Sequence, residues 1–125
     1  SDDYQVTLID SSAAILALFP SHPSLTTIQQ DVLDPIALEK TLAGHFAVLS
    51  STPFFLTRTI AQSALNTGCH YLDLTEDVDS TNFVRELSAK ASSAFIPQCG
   101  LAPGFISIVT QNIVRDFDEL DAIRM

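Results

Sequence analysis

The sequence predicts an α/β layered domain: a mostly parallel, doubly wound sheet in three layers. Three observations carry this expectation. Short runs rich in Val, Ile, Phe and Tyr recur at 5–9, 25–30, 46–50, 70–74 and 94–97, the pattern of strands covered on both faces. Between them lie segments with helical spacing and recognisable ends. Strands that alternate with helices of this length join through βαβ crossovers, which impose a parallel sheet.

Taken in order, the run at 5–9 leads into Asp10 and Ser11-Ser12, and a short helix over 12–19 is stopped by Pro20, which has no N–H to continue it. After the strand at 25–30, Asp34 is an N-cap acid, Pro35 occupies the first helical position, and Gly44 lies past the end of a helix over 36–43, the best signalled of the set. Beyond the strand at 46–50, Ile60, Ala61, Ala64 and Leu65 form one apolar stripe in a helix over 56–67 that Gly68 closes. Phe83, Val84, Leu87 and Ala91 make a similar stripe after Asp79-Ser80, and Ile106, Val109, Ile113 and Phe117 do so after Pro103-Gly104. Residues 120–125 read as a further strand, preceded by the acidic Asp116, Asp118, Glu119 and Asp121 that mark a surface crossing.

A length of 125 residues is short of two domains and excludes a multi-domain enzyme for this chain. The net charge of −9 and pI near 4.3 repel phosphate backbones and anionic lipid, so neither nucleic acid nor a membrane surface is an expected partner. A hydrophobic fraction of 46% with only 17% charged residues is that of a folded, layered protein rather than a disordered one. No apolar run approaches the roughly 20 residues that span a bilayer. Ser1-Asp2-Asp3 does not resemble a signal peptide, and the expected location is the cytoplasm. Cys69 and Cys99 sit in no CxxC pair and are expected as reduced packing thiols. His22, His45 and His70 have no spacing that builds a metal site or a catalytic triad, so no metal is expected.

Chemistry is concentrated where strands end. Asp10 closes the first strand, the position at which a dinucleotide-binding sheet hydrogen-bonds an adenosine ribose with an acid whose charge favours NAD over NADP. Its competing role is to cap the following helix. Asp31, at the end of the next strand, is either an acceptor for an adenine amino group or a turn residue ahead of Asp34. Ser51-Thr52-Pro53-Phe54-Phe55 follows the third strand, where the rest of a dinucleotide would cross or where a helix simply starts. Tyr71-Leu72-Asp73-Leu74-Thr75-Glu76-Asp77 gathers acids that orient a substrate amine, act as acid and base, or form a solvated loop. Finally, Cys99-Gly100-Leu101-Ala102-Pro103-Gly104 joins a strand to a helix whose first amides are expected to be free for a carboxylate or an amide.

Three stretches together carry a resemblance: His70-Tyr71-Leu72-Asp73-Leu74-Thr75-Glu76-Asp77-Val78, Ser51-Thr52-Pro53-Phe54-Phe55, and Phe95-Ile96-Pro97-Gln98-Cys99-Gly100-Leu101-Ala102-Pro103-Gly104-Phe105. The chain resembles the saccharopine dehydrogenase and lysine 6-dehydrogenase family over nearly its whole length, and the last stretch is the most specific. The resemblance implies a Rossmann-like cofactor domain over 1–118 of an NAD(P)-dependent oxidoreductase of lysine metabolism. Such an enzyme acts by hydride transfer on the CH–NH group of a small amino-acid substrate. It implies that Asp10 holds the ribose, that Asp31 neighbours the adenine, and that Ser51, Thr52, Pro53 and Phe54 lie beside the nicotinamide ribose. Gly100, Leu101 and Ala102 would face the nicotinamide, with Asp73, Cys99, Pro103 and Gly104 adjacent to substrate; the resemblance assigns no catalytic residue.

Two departures from the family are absences. A first strand with its GxGxxG turn, the pyrophosphate cradle, is missing, since the only glycines are Gly44, Gly68, Gly100 and Gly104. That strand is central in the order 3-2-1-4-5-6, so the sheet is expected to be incomplete, with a gap between the strands at 5–9 and 46–50. The expectation is a fragment of a longer polypeptide, inactive alone, with 119–125 leading into an absent substrate and dimerisation domain. A Rossmann-like module without redox activity, serving assembly or regulation, is the alternative. A methyltransferase is a third reading and predicts an antiparallel strand pair closing the sheet.

Overall fold

Local chemistry places most elements. In the computed structural model, which describes residues 4–124, β1 (Val6–Asp10), β2 (Leu25–Gln29), β3 (Ala47–Ser50), β4 (His70–Asp73) and β5 (Phe95–Ile96) alternate with α1 (Ala13–Leu16), α2 (Pro35–Leu42), α3 (Thr57–Thr67), α4 (Val78–Ser88) and α5 (Phe105–Val114). A single 3-10 turn, Phe54–Leu56, leads into α3. Asp34 caps α2 by accepting from the Ile36 and Ala37 amides at 3.1 Å each, with Pro35 at the first helical position. Gly68 ends α3 in the left-handed region at φ 74°, which suits a residue without Cβ.

The strands form two parallel sheets, β1–β2 and β3–β4–β5. Their register sets Val6 against Leu25, Ala47 against His70 and Tyr71 against Phe95. Every strand pairing among the described residues is parallel, and none of them is the antiparallel pair that the methyltransferase reading predicts. β1 and β3 are not paired with each other, so the expected gap is present. A side-chain bond spans it, Thr7 Oγ1 to His45 Nε2 at 3.0 Å. Beside that bond, at the amino ends of β1 and β3, lies a cleft of about 370 Å³ lined by Val6, Thr7, His45 and Phe46 among others.

The core sits between β4 and the helices α2, α3 and α4. Leu38 and Leu42 from α2, Ile60, Ala61 and Ala64 from α3, Val84 and Leu87 from α4, and Cys69 and Tyr71 from the β4 segment make one buried cluster. Each large apolar side chain there contributes about 1.5–3 kcal/mol by leaving water. Cys69, a reduced thiol, donates to the Leu42 and His45 carbonyls at 3.3 and 3.0 Å and so ties α2 to the start of β4.

Several expectations are corrected. The strands are not all covered on both faces: Leu49 in β3 is 62% exposed and Val6 in β1 50% exposed, because both border the gap and α5 contributes no buried residue. The first helix is one turn, Ala13–Leu16, rather than 12–19, since only Leu16 finds a buried site and an unpacked helix of that length does not hold. α4 begins at Val78, ahead of Asp79-Ser80 rather than after it, because Asp77 is the cap, and it ends at Ser88, short of Ala91. α5 ends at Val114, short of Phe117. Residues 120–124 carry no strand. Met125 lies outside the described residues.

Candidate functional site

A parallel sheet brings every strand's carboxyl end to one edge, so residues far apart in sequence converge there. On the β1–β2 half, the Gln30 amide donates to the Asp10 carbonyl at 3.0 Å, which sets Asp31 beside Asp10. Asp10 Oδ1 accepts the Ser12 amide at 2.7 Å, and Ser12, not Asp10, is the N-cap of α1. The second oxygen of Asp10 has no protein partner among the described residues. Asp31 is exposed and accepts the Leu33 amide at 2.9 Å, so its turn role is real, and its other oxygen has no partner among the described residues.

On the β3–β4–β5 half, Ser50 is buried and its hydroxyl meets that of Thr52 at 3.0 Å. Ser51 and Pro53 are exposed, and Phe54 and Phe55 project from the 3-10 turn in an edge-to-face pair with centroids 6.0 Å apart. Arg58 stacks over the Phe83 ring at 4.7 Å, fixing the start of α3 against α4.

Asp73 is only 1% exposed. A carboxylate in that position is tolerated only when its oxygens are hydrogen-bonded, and they are. Oδ1 accepts the Thr75 and Gln98 amides, each at 3.0 Å, and Oδ2 accepts the Tyr71 hydroxyl at 2.9 Å. Burial, and then the adjacent Asp73 charge and hydrogen bond, push the Tyr71 phenol well above its ordinary pKa. The carboxylate pair that the sequence offered for acid and base work therefore divides. Asp73 is walled off, Asp77 caps α4 through the Ser80 amide at 2.7 Å, and Glu76 stays in solvent. The Ser80 side chain and amide hold the Asp77 carboxyl below the usual carboxylate range.

The loop after β5 is held from below. The Cys99 amide donates to the Asp73 carbonyl at 2.8 Å, and Gln98 adopts φ 62°, a left-handed conformation that costs a residue with a Cβ. Gly100 and Gly104 bridge. The Phe105, Ile106 and Ser107 amides donate to the Gly100, Leu101 and Gly104 carbonyls at 2.9, 2.9 and 3.1 Å. The amides expected to be free at the start of α5 are thus consumed within the loop, because the tight turn folds its own carbonyls onto them. What the loop presents outward is apolar: Leu101, Ala102 and Pro103 are exposed. Cys99 is exposed as well, with its thiol directed to the Ile96 carbonyl at 3.1 Å.

The structure therefore assembles two groups at one edge, Asp10 with Asp31 and the 50–54 segment with Asp73 and the 98–104 loop, on either side of the gap. Sequence reasoning passed over Tyr71, although period-two alternation puts it on the same strand face as Asp73. Nothing local in the sequence marks Gln98.

A parallel α/β domain whose acids, hydroxyls and one tight loop gather at the carboxyl edge is a Rossmann-like nucleotide-binding domain. The family model described as the saccharopine dehydrogenase NADP binding domain matches residues 1–96, and the chain belongs to that family. Among solved structures it is similar to apo saccharopine dehydrogenase (L-Glu forming) from Saccharomyces cerevisiae, with a TM-score of 0.70 and 26% identity over 93% of this chain. The match spans 26% of the yeast chain.

Proposed function

We propose that this chain is the dinucleotide side of an oxidoreductase that acts on the CH–NH group of an amino-acid substrate, with NAD preferred to NADP. The observation that carries the proposal is the carboxyl edge itself, where Asp10 keeps one oxygen without a partner among the described residues at the strand position suited to a ribose. Asp10 and Asp31 would hold the adenosine half. Ser51, Thr52, Pro53 and Phe54, with Gly100, Leu101 and Ala102, would line the nicotinamide half. Bound nicotinamide supplies hydride chemistry that no protein side chain provides.

The preference for NAD rests on charge. A 2′-phosphate needs an arginine or lysine nearby, and the first lysine or arginine of this chain is Lys40, so the β1–β2 edge offers acids where the phosphate would sit. The amino-acid substrate is supported by the name of the yeast relative, a saccharopine dehydrogenase. In the same reading, the gap between β1 and β3 takes one further parallel strand from the longer polypeptide, and its glycine-rich turn cradles the pyrophosphate. The substrate-contacting groups and a homodimer contact belong to that longer polypeptide too.

Calorimetric titration of NAD and NADP into this chain and into the full-length protein tests the proposal. The full-length protein is expected to bind NAD more tightly than NADP. Asp10→Ala is expected to weaken NAD binding by about 1–3 kcal/mol, roughly 5- to 150-fold in Kd, by removing a charged acceptor. Tighter binding of NADP, indifferent to Asp10, would reverse the cofactor assignment. Silence toward both nucleotides would leave a module without redox activity.

A further inference from the structure

We propose that Tyr71 and Asp73 are positioning residues: a buried polar hub that couples the 50–54 segment to the 98–104 loop and so sets the shape of the nicotinamide side. The inference rests on the dinucleotide reading above. Residues two apart on a strand share a face, and β4 presents Tyr71 and Asp73, 0% and 1% exposed, to the same buried layer.

From Asp73 the bonds run in two directions. Its side chain takes the Gln98 amide at 3.0 Å and its carbonyl takes the Cys99 amide at 2.8 Å, so one residue grips the two positions that open the loop. Gln98 stands in the left-handed region there, a conformation that persists only where its surroundings enforce it. In the other direction, the Tyr71 hydroxyl donates to Asp73 at 2.9 Å, the Ser50 and Thr57 side chains act on the same phenol, and Ser50 stands opposite Asp73 in the β3–β4 register. Ser50 in turn meets Thr52 at 3.0 Å. Side-chain bonds and the β3–β4 register together therefore connect Thr52, through Ser50 and the Tyr71–Asp73 pair, to Gln98 beneath the sheet edge.

Such a path is poorly explained by stability alone. Apolar side chains of equal volume fill a buried site at least as well as a polar group with its desolvation cost. A satisfied network instead specifies a unique geometry. Asp73 has almost no surface that a substrate could reach, so it acts through the backbone it holds.

Tyr71→Phe keeps the ring, including its stacking on Phe95 at 5.5 Å, and cuts the path at its middle. In the full-length protein, amide hydrogen exchange is expected to accelerate in both the 50–56 and 97–105 segments, and the Kd for the preferred dinucleotide is expected to rise about tenfold. Asp73→Asn keeps the shape with a weaker acceptor, and Thr57→Val removes one hydroxyl at the same phenol. Both are expected to shift the same two segments by smaller factors. Cys69→Ala, at the amino end of β4, is a destabilised control expected to leave both segments and the Kd unchanged. Acceleration confined to one segment, or spread over the domain as a general loss of stability, overturns the coupling. Variants that bind the dinucleotide as tightly as the parent overturn the positioning role while the functional reading stands. A parent protein that binds no dinucleotide overturns both.

Discussion

Gly104→Ala tests how the loop before α5 is built. Gly104 has φ 126° and ψ −103°, a region open essentially to glycine alone, and forcing a side chain into such backbone costs about 1–3 kcal/mol. A Cβ there would also collide with the Gly100 carbonyl and come within 2.9 Å of the Gln98 carbonyl. The Gly100 carbonyl is not free to retreat, because it accepts the Phe105 amide at 2.9 Å, and losing that bond adds about 0.5–1.5 kcal/mol. The expected loss is about 3 kcal/mol, read from urea denaturation of parent and variant at equal m. Gly44→Ala is the internal reference. Gly44 has φ 84° but nothing within 4 Å of the position its Cβ would take, so only the conformational term of about 1–2 kcal/mol applies. Equal losses for the two variants, or a Gly104→Ala protein within about 0.5 kcal/mol of the parent, would refute the argument from close approach.

Two other outcomes follow from single side chains. Asp34→Ala removes the acceptor of the Ile36 and Ala37 amides and is expected to cost about 1 kcal/mol in thermal or urea melts; dinucleotide affinity should not move, and a change in it would place α2 in the site. Asp77 has a folded pKa held below its ordinary value by the Ser80 side chain and amide, so the unfolded chain binds the proton more readily. Its contribution is therefore complete above the ordinary carboxylate pKa of about 4 and is lost as pH falls through the folded value. Asp77→Asn should flatten the fall in stability on the acid side, and unchanged curvature there would show that Asp77 does not titrate with folding.

Much of the fold is local physics and was legible. Asp34 with Pro35 starts a helix in any context, Gly68 ends one, and alternation of strand runs with helices of this length permits few topologies other than a parallel sheet. The edge on which function gathers follows from that topology, so Asp10, Asp31 and the 51–54 segment could be placed there from strand order alone. The resemblance carried together by the 51–55, 70–78 and 95–105 stretches pointed to the family that residues 1–96 match.

Other features depend on what lies across space rather than along the chain. Burial of both sheet faces failed at Val6 and Leu49 because covering is supplied by neighbours, and the gap between β1 and β3 leaves those neighbours out. The first amides of α5 looked free because a sequence does not reveal that a turn will fold its own carbonyls onto them. Asp73 read as a residue adjacent to substrate because its stretch gathers acids at the end of a strand. Only the tertiary structure surrounds it with the Tyr71 hydroxyl and the Thr75 and Gln98 amides and turns it into a brace. By itself, the sequence determined periodicity, caps and strand order, which are set by backbone sterics and spacing. The tertiary structure decided which polar groups are exposed and which are spent, since hydrogen bonds at 3.0 Å join residues 25 positions apart.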